Sequence, residues 1–79
     1  MSSAKLGLVI ESFYAWTSIA STDVELILKG ELVVVTGRTV TLKGPMRKAA
    51  VEVRELLTSA GLHRWVVVPT LDALVRVVS

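Results

Sequence analysis

A short basic segment holds the residues best suited to bind a ligand. Positions 37–48 read G-R-T-V-T-L-K-G-P-M-R-K, with four cations and no acid. Arg47 and Lys48 fall where the sequence predicts a helix to begin, and each cation near a helix N-terminus costs about 0.3–1 kcal/mol at an exposed site. A bound anion removes that cost. The segment therefore predicts phosphate binding by Arg38, Lys43, Arg47 and Lys48.

The same four cations also have a purely structural interpretation. In that interpretation Arg38 solvates a hairpin tip, Lys43 keeps an edge strand from pairing with other chains, and Arg47 and Lys48 cover an exposed helix face. Their grouping favours binding. If Val40 and Leu42 face the core, then Thr39, Thr41 and Lys43 line the opposite face.

Aromatic side chains supply the second candidate feature. Phe13, Tyr14 and Trp16 lie within four positions of one another, and Trp65 follows Arg64. Stacking of a base on an exposed aromatic ring contributes about 1–3 kcal/mol and tolerates any base. Arg64 and Trp65 form the preferred stacking pair, with Tyr14 or Trp16 second. The spacing of Phe13 and Trp16 also fits the buried face of a helix.

Residues suited to catalysis are few. His63 is the single histidine, and no serine, carboxylate or second histidine is placed to complete a catalytic triad or a metal site with it, so it fits a solvated loop residue. Glu52 and Glu55 fall on the same predicted helix, three residues apart, and with Lys48 and Arg54 nearby they resemble ordinary charge partners. We therefore expect no enzymatic activity, no metal, no cofactor and no small-molecule substrate.

Composition indicates one small domain that associates with further copies. The chain has 79 residues, 52% of them hydrophobic, with a mean hydropathy of +0.62. A domain of this size buries only about 60% of the surface its unfolded chain exposes. We expect a homodimer or homotetramer, with the Ile27 face or the C-terminal segment 74–78 in the interface.

Several residue types are missing from the chain. Cysteine, asparagine and glutamine are absent, and there are two methionines, which is typical of proteins from thermophiles. Without cysteine there are no disulfides. No apolar run approaches the roughly 18–20 residues of a membrane span, and the N-terminus does not resemble a signal peptide. We expect a cytoplasmic protein without membrane contact.

Hydrophobic periodicity predicts an α+β domain. Apolar residues spaced by three and four predict a helix over 4–20, with an opening strand over 6–10 as the alternative. Short strands are predicted over 24–28, 32–35 and 39–43, separated by turns at 29–31 and 36–38. The whole is a small, mainly antiparallel four-stranded sheet packed with helices.

The second half of the chain supplies the most regular helical pattern. Pro45 suits the first position of a helix, an apolar stripe continues to Ala60, and Gly61 suits the C-terminal end. A fourth strand is predicted over 65–68. The remaining residues, from Pro69 to Val78, fit either a short final helix or a fifth strand.

The valine-rich hairpin through T-G-R-T-V-T-L-K-G and the helix P-M-R-K-A-A-V-E-V-R-E-L-L resemble the archaeal Thermo-DBP-related single-stranded-DNA-binding proteins. The resemblance covers residues 24–68 and is one of size, layout and basic segment, without a signature motif. It implies an antiparallel sheet with helices, dimers or tetramers, and single-stranded nucleic acid held in a basic cleft between subunits.

The sequence therefore leaves two candidate functions. The first is sequence-independent binding of single-stranded DNA, with RNA as the alternative ligand, by the four cations of the basic segment together with Arg64, Trp65, Trp16 and Tyr14. The second is a structural or protein-interaction module of an archaeal complex that does not bind nucleic acid. In that case the cations only keep an apolar surface in solution.

Overall fold

Seven strands and one helix follow one another along the part of the chain that the structure describes. The computed structural model describes residues 4–20, 22–42 and 50–78. The elements are β1 (Lys5–Val9), β2 (Phe13–Trp16), β3 (Val24–Ile27), β4 (Leu32–Leu42), β5 (Val51–Leu57), β6 (His63–Val67), α1 (Val68–Leu74) and β7 (Val75–Val77). All the strand pairs are antiparallel, and the order across the sheet is β3-β2-β6-β5-β4-β1-β7.

The sheet curls back on itself because two strand pairs, β1 with β4 and β2 with β3, meet at a corner. β1 pairs with β4, and β2, which follows β1 after three residues, pairs with β3. At the corner the Val9 amide donates to the Glu31 carbonyl and the Gly30 amide donates to the Val9 carbonyl. The other side of β2 pairs with β6, where Trp16 lies opposite Trp65. Across the sheet, β4, β5 and β6 therefore lead from β1 back to β2, which follows β1 in the chain.

One apolar interior results from this wrapping. Every strand and the helix contribute at least one side chain to it. The Leu71 side chain of α1 is buried there, which anchors the helix against the sheet. The buried members are Val9, Phe13, Ala15, Ile27, Val33, Val35, Leu56, Val66, Leu71 and Val75.

The helix predicted over 4–20 is wrong, and the alternative of an opening strand is correct. Residues Lys5–Val9 and Phe13–Trp16 form β1 and β2, joined by a bend. The spacing of Val9 and Phe13 fits a helical stripe, but each of these side chains instead reaches the interior from its own strand. Gly7 is unfavourable inside a helix, and the Phe13-Tyr14 pair favours a strand.

The helix predicted over 45–60 is also wrong where the structure describes the chain. Residues Val51–Leu57 form β5, and residues 43–49 lie outside the described part. Val53 and Leu56 are both fully buried although they lie on opposite faces of β5. A strand covered on both faces loses the alternating pattern, and here its apolar spacing imitates a helix. Gly61, with φ of 80°, lies in the β5–β6 turn instead of ending a helix.

Other parts of the prediction agree with the structure more closely. The strand over 32–35 and the turn at 29–31 are confirmed, and Gly30 has a φ of 91° in that turn. The C-terminal segment contains both predicted alternatives, since α1 is followed by β7. Over the described residues, however, the domain is a seven-stranded antiparallel sheet with one short helix, and the α+β arrangement of four strands packed with helices is wrong.

The helical content of the described residues is small. Within them α1 has seven residues, and no helix is long and apolar enough to cross a membrane.

Candidate nucleic-acid interface

A bulge in β4 shapes the most polar part of the sheet. The pairing with β5 jumps from Val35 opposite Leu56 to Thr39 opposite Arg54, so three residues of β4 oppose the single residue Glu55. Gly37, within the bulge, has a φ of 86°, which residues with a Cβ seldom adopt. The prediction of a chain-reversing turn at 36–38 is therefore wrong, because β4 continues through these residues. Bulges of this kind redirect the side chains beside them.

Glu55 is a buried carboxylate with three side-chain partners. Its residue is 3% exposed. The Thr36 hydroxyl donates to Oε1 at 2.9 Å, His63 Nδ1 lies 2.9 Å from Oε2, and one guanidinium nitrogen of Arg38 lies 3.4 Å from Oε2. A buried carboxylate without partners costs several kcal/mol, so these contacts are needed to keep Glu55 in place. The bulge supplies two of the three.

The same contacts place Arg38 over an aromatic ring. The Arg38 guanidinium carbon lies 5.6 Å from the centre of the Trp65 ring, within the range of a cation–π interaction. The Arg38 side chain remains 67% exposed, whereas Trp65 is 6% exposed. Glu55 therefore fixes an exposed cation above a ring that is itself almost covered.

Three aromatic side chains share the face of the sheet that points away from the interior, here called the outer face. Tyr14 and Trp16 alternate with the buried residues Phe13 and Ala15 of β2, so they point outward. Trp65 lies opposite Trp16 across the β2–β6 pairing and therefore points to the same side. Tyr14 is 65% exposed and Trp16 is half-buried. We call Tyr14, Trp16, Trp65 and Arg38 the aromatic row.

The outer face beside this row carries little negative charge. The described strands contain three carboxylates, and alternation places only Glu55 on the outer face. Its charge is offset by Arg38. Further along the same face, Val51 and Val67 help to line an apolar pocket of about 450 Å³ that also contacts Pro69. This apolar depression lies near the start of α1, and Glu52 also contributes to its lining.

Arg64 lies on the other side of β6 and is engaged elsewhere. Its Nε and Nη2 donate to the two carboxylate oxygens of Glu25 at 3.0 Å each, and its side chain is 12% exposed. This bidentate hydrogen bond lowers the pKa of Glu25 and raises that of Arg64, with their charge attraction adding to both effects. Arg64 therefore links β6 to β3 and does not accompany Trp65 as the sequence suggested.

The structure brings together part of the predicted site. Four of its residues, Arg38, Trp65, Trp16 and Tyr14, form the aromatic row. The polar side chains of the β4–β5 hairpin point the other way, since Thr39 is hydrogen-bonded to Arg54 on the face opposite Trp65. The three remaining predicted residues, Lys43, Arg47 and Lys48, lie outside the described residues.

Sequence reasoning missed the residues that hold Arg38 in place. Glu55 was interpreted as a charge partner on a helix, and His63 as a solvated loop residue. His63 is largely exposed but bonds to Glu55 through Nδ1. The available signal was the position of Glu55 in a run that is otherwise apolar at Val53, Leu56 and Leu57. A carboxylate at such a position needs partners.

Among the described residues, no cluster of three or more histidine or carboxylate side chains could hold a metal ion. No buried side-chain nitrogen or oxygen in that part lacks a hydrogen-bond partner.

Comparison with known proteins gives no matching family model, no matching curated protein and no matching solved structure.

Proposed function

We propose that this protein binds single-stranded nucleic acid on its outer face, with DNA as the first candidate and RNA as the alternative. The observation that carries the proposal is the aromatic row: two exposed or half-exposed rings, Tyr14 and Trp16, share one face of the sheet with Trp65 and the exposed cation Arg38. Rings and cations on one sheet face are the usual means of holding unpaired bases and their phosphates. The proposed role requires no catalysis and no cofactor.

Single strands suit this surface better than a duplex does. Bases stack on a ring only when they are not already stacked and paired with other bases. Tyr14 and Trp16 lie two residues apart on one strand, about 6–7 Å at the usual rise of a β-strand, so successive unpaired bases have room to reach both rings. Such contacts do not read base identity, and we expect little sequence preference.

The cations of the basic segment supply the charge that the rest of the domain lacks. All seven acidic residues lie in the described part, together with only six of the nine lysines and arginines. Lys43, Arg47 and Lys48 are the other three, in the stretch that joins β4 to β5. The net charge of +2 therefore depends on these three cations.

The resemblance to the Thermo-DBP-related proteins stays a prediction. One of its supports, a helix crossing from Pro45 to Leu57, is absent over Val51–Leu57, where the chain forms β5. The aromatic row supports the proposal independently of that resemblance.

Fluorescence anisotropy with labelled oligothymidine, oligouridine and a DNA duplex across a salt series tests the proposal. We expect single strands to bind more tightly, with log K falling against log salt by about 0.7 per phosphate contact. Tyr14→Ala should weaken binding about tenfold, because it removes one stacked base. Leu62→Ala is the matched control, since Leu62 is also exposed but lies in the β5–β6 turn. A preference for duplex, or equal affinity of the Tyr14→Ala and wild-type chains, would refute it.

A protein-interaction module is the second candidate function. The excess of acids over cations in the described part and the exposed side chains of Val24, Leu26 and Leu28 favour it. If this candidate is correct, a second protein should copurify with the chain from native extract, and none of the three oligonucleotides should bind. Binding of oligothymidine at near-physiological salt would argue against this candidate.

A further inference from the structure

Within the described residues, β3 forms one open edge of the sheet. It is only four residues long and Glu25 points inward, but it lacks the lysine, proline or bulge that guards many edge strands. It pairs with β2 on one side and is the end strand of the sheet. The β3 sequence V-E-L-I contains neither lysine nor proline, and its pairing with β2 is regular from Phe13 opposite Ile27 to Trp16 opposite Val24.

The direction of the β3 backbone groups follows from one hydrogen bond. The Thr17 amide donates to the Asp23 carbonyl at 3.1 Å, so position 23 faces β2 with its backbone groups. Antiparallel pairing alternates, so Glu25 and Ile27 also direct their N–H and C=O groups at β2. Val24 and Leu26 direct theirs at the open edge. Their side chains, 52% and 43% exposed, lie on the outer face with Leu28, which is 57% exposed.

We propose that β3 pairs antiparallel with β3 of a second copy of this chain, with Leu26 on the two-fold axis. In this register Leu26 faces Leu26 of the second copy, and Val24 faces Leu28 of the second copy. Each copy therefore contributes three exposed apolar side chains to one strip on the outer face. A two-fold axis is the most common symmetry of such an interface, and the contact closes without leading to a fibre.

Charge complementarity selects this register from its neighbours. With Leu26 on the axis, Asp23 lies beside Lys29 of the second copy at both ends of the paired segment, and Glu25 lies opposite an isoleucine. Moving the axis to Glu25 sets two glutamates opposite each other, and moving it to Val24 sets Glu25 opposite an aspartate. Like charges directly opposite one another destabilise a strand pair. With the axis on Ile27, Glu25 would face Lys29, but Asp23 would face Glu31 and Val24 would face Gly30 in a turn, so a like-charge pair would offset the favourable one.

This pairing also explains the distribution of exposed residues on β3 and identifies the residues in the subunit interface. Ile27, one of the residues that the sequence suggested for an interface, is 1% exposed and belongs to the interior. Its neighbours on the outer face are the exposed ones. Two copies joined in this way would place their Tyr14 side chains on the same face of one continuous sheet. The interface itself does not depend on nucleic acid.

Sedimentation equilibrium without nucleic acid tests the pairing. We expect the wild-type chain to have twice its 8.5 kDa mass at micromolar concentration. Leu26→Lys should raise the dimer dissociation constant about tenfold or more, because it sets two lysines opposite each other at the axis. Val77→Lys, at an exposed position of β7 on the other open edge, is the matched control and should leave the dimer unchanged.

A charge exchange tests the register even if Leu26→Lys does not fold. Asp23→Lys and Lys29→Asp should each weaken the dimer, and the double variant should restore it. A monomeric wild type, an unaffected Leu26→Lys dimer, dissociation by Val77→Lys or failure of the exchange to restore the dimer would overturn the pairing. A monomer that still binds oligothymidine refutes the pairing alone, whereas a dimer that binds none refutes only the proposed function.

Discussion

The guanidinium of Arg38 lies over the ring of Trp65, with 5.6 Å between the guanidinium carbon and the ring centre. These residues are 27 positions apart in the sequence and belong to strands that do not pair with each other. β5 lies between these two strands, and Arg38 reaches across it because the β4 bulge and the contact with Glu55 direct its side chain toward Trp65. The exposed cation of the proposed interface is therefore positioned by a carboxylate that is itself buried.

Replacing Arg38 should weaken nucleic-acid binding in two separable ways. Arg38→Ala removes a phosphate contact, so the slope of log K against log salt should become less steep by about 0.7. Arg38→Lys keeps the charge and the slope but loses the planar group that stacks on Trp65, so affinity should fall with the slope unchanged. Anisotropy with oligothymidine over a salt series measures both. Equal slopes for wild type and Arg38→Ala would place the phosphate contacts elsewhere.

Glu55→Gln should change stability and binding in opposite directions. The free energy of unfolding should fall by about 1 kcal/mol, since the ion pair with Arg38 is lost while the amide can still bond to Thr36. Binding of oligothymidine should become tighter, because one negative charge leaves the interface and Arg38 is released. Glu52→Gln, an exposed change on the same strand, is the control for both measurements. Weaker binding by Glu55→Gln would mean that the fixed position of Arg38 matters more than its charge.

Gly7→Ala should destabilise the domain through one identifiable contact. An added Cβ at Gly7 would lie 2.5 Å from Cγ1 of Val75, since β1 and β7 approach closely there. Overpacking of this kind costs about 1–3 kcal/mol. Chemical denaturation measures the loss. The double variant Gly7→Ala with Val75→Ala should be less destabilised than the sum of the single variants, and strict additivity would show that this contact is not the cause.

The end of β4 was predictable because one of its faces is polar, whereas β5 was not. Val40 and Leu42 alternate visibly with threonines, and the sequence places a strand there. β5 is covered on both faces, so its apolar residues lose the period of two and imitate a helical stripe, and its glutamates, arginine and leucines favour helix locally. The pairing of β5 with β4 and β6 overrides that preference.

The candidate site was predictable as a set of residue types but not as an arrangement. Tyr14, Trp16 and Trp65 are each conspicuous in the sequence, yet their alignment depends on the pairing of β2 with β6, which joins positions 49 residues apart. The role of Arg38 depends on a bulge whose only local sign is Gly37. Arg64 looked like the partner of Trp65, but successive residues of a strand point to opposite faces.

Acid should weaken the link between β3 and β6. The hydrogen bond and charge of Arg64 hold the pKa of Glu25 below its ordinary value. This pair therefore stabilises the fold fully above the pKa that Glu25 has in the unfolded chain, and the contribution is lost as the pH falls through the lower pKa of the folded chain. Thermal unfolding between pH 7 and pH 2 measures it. Glu25→Gln should be less stable than wild type at neutral pH, and the difference should shrink in acid.

A constant difference between wild type and Glu25→Gln at every pH would contradict this assignment. Arg64→Ala should show the same loss of acid dependence, with little change in oligothymidine affinity, because Arg64 already bonds to Glu25 and points away from the aromatic row.

Tryptophan fluorescence during a titration with oligothymidine tests the central claim most directly, because both tryptophans of the chain lie in the aromatic row. We expect saturable quenching that disappears at high salt. In single-tryptophan variants it should be larger for Trp16, which is half-buried, than for Trp65, which is 6% exposed. If anisotropy reports binding while the emission of neither tryptophan changes, the nucleic acid binds elsewhere, and the aromatic row is not the interface.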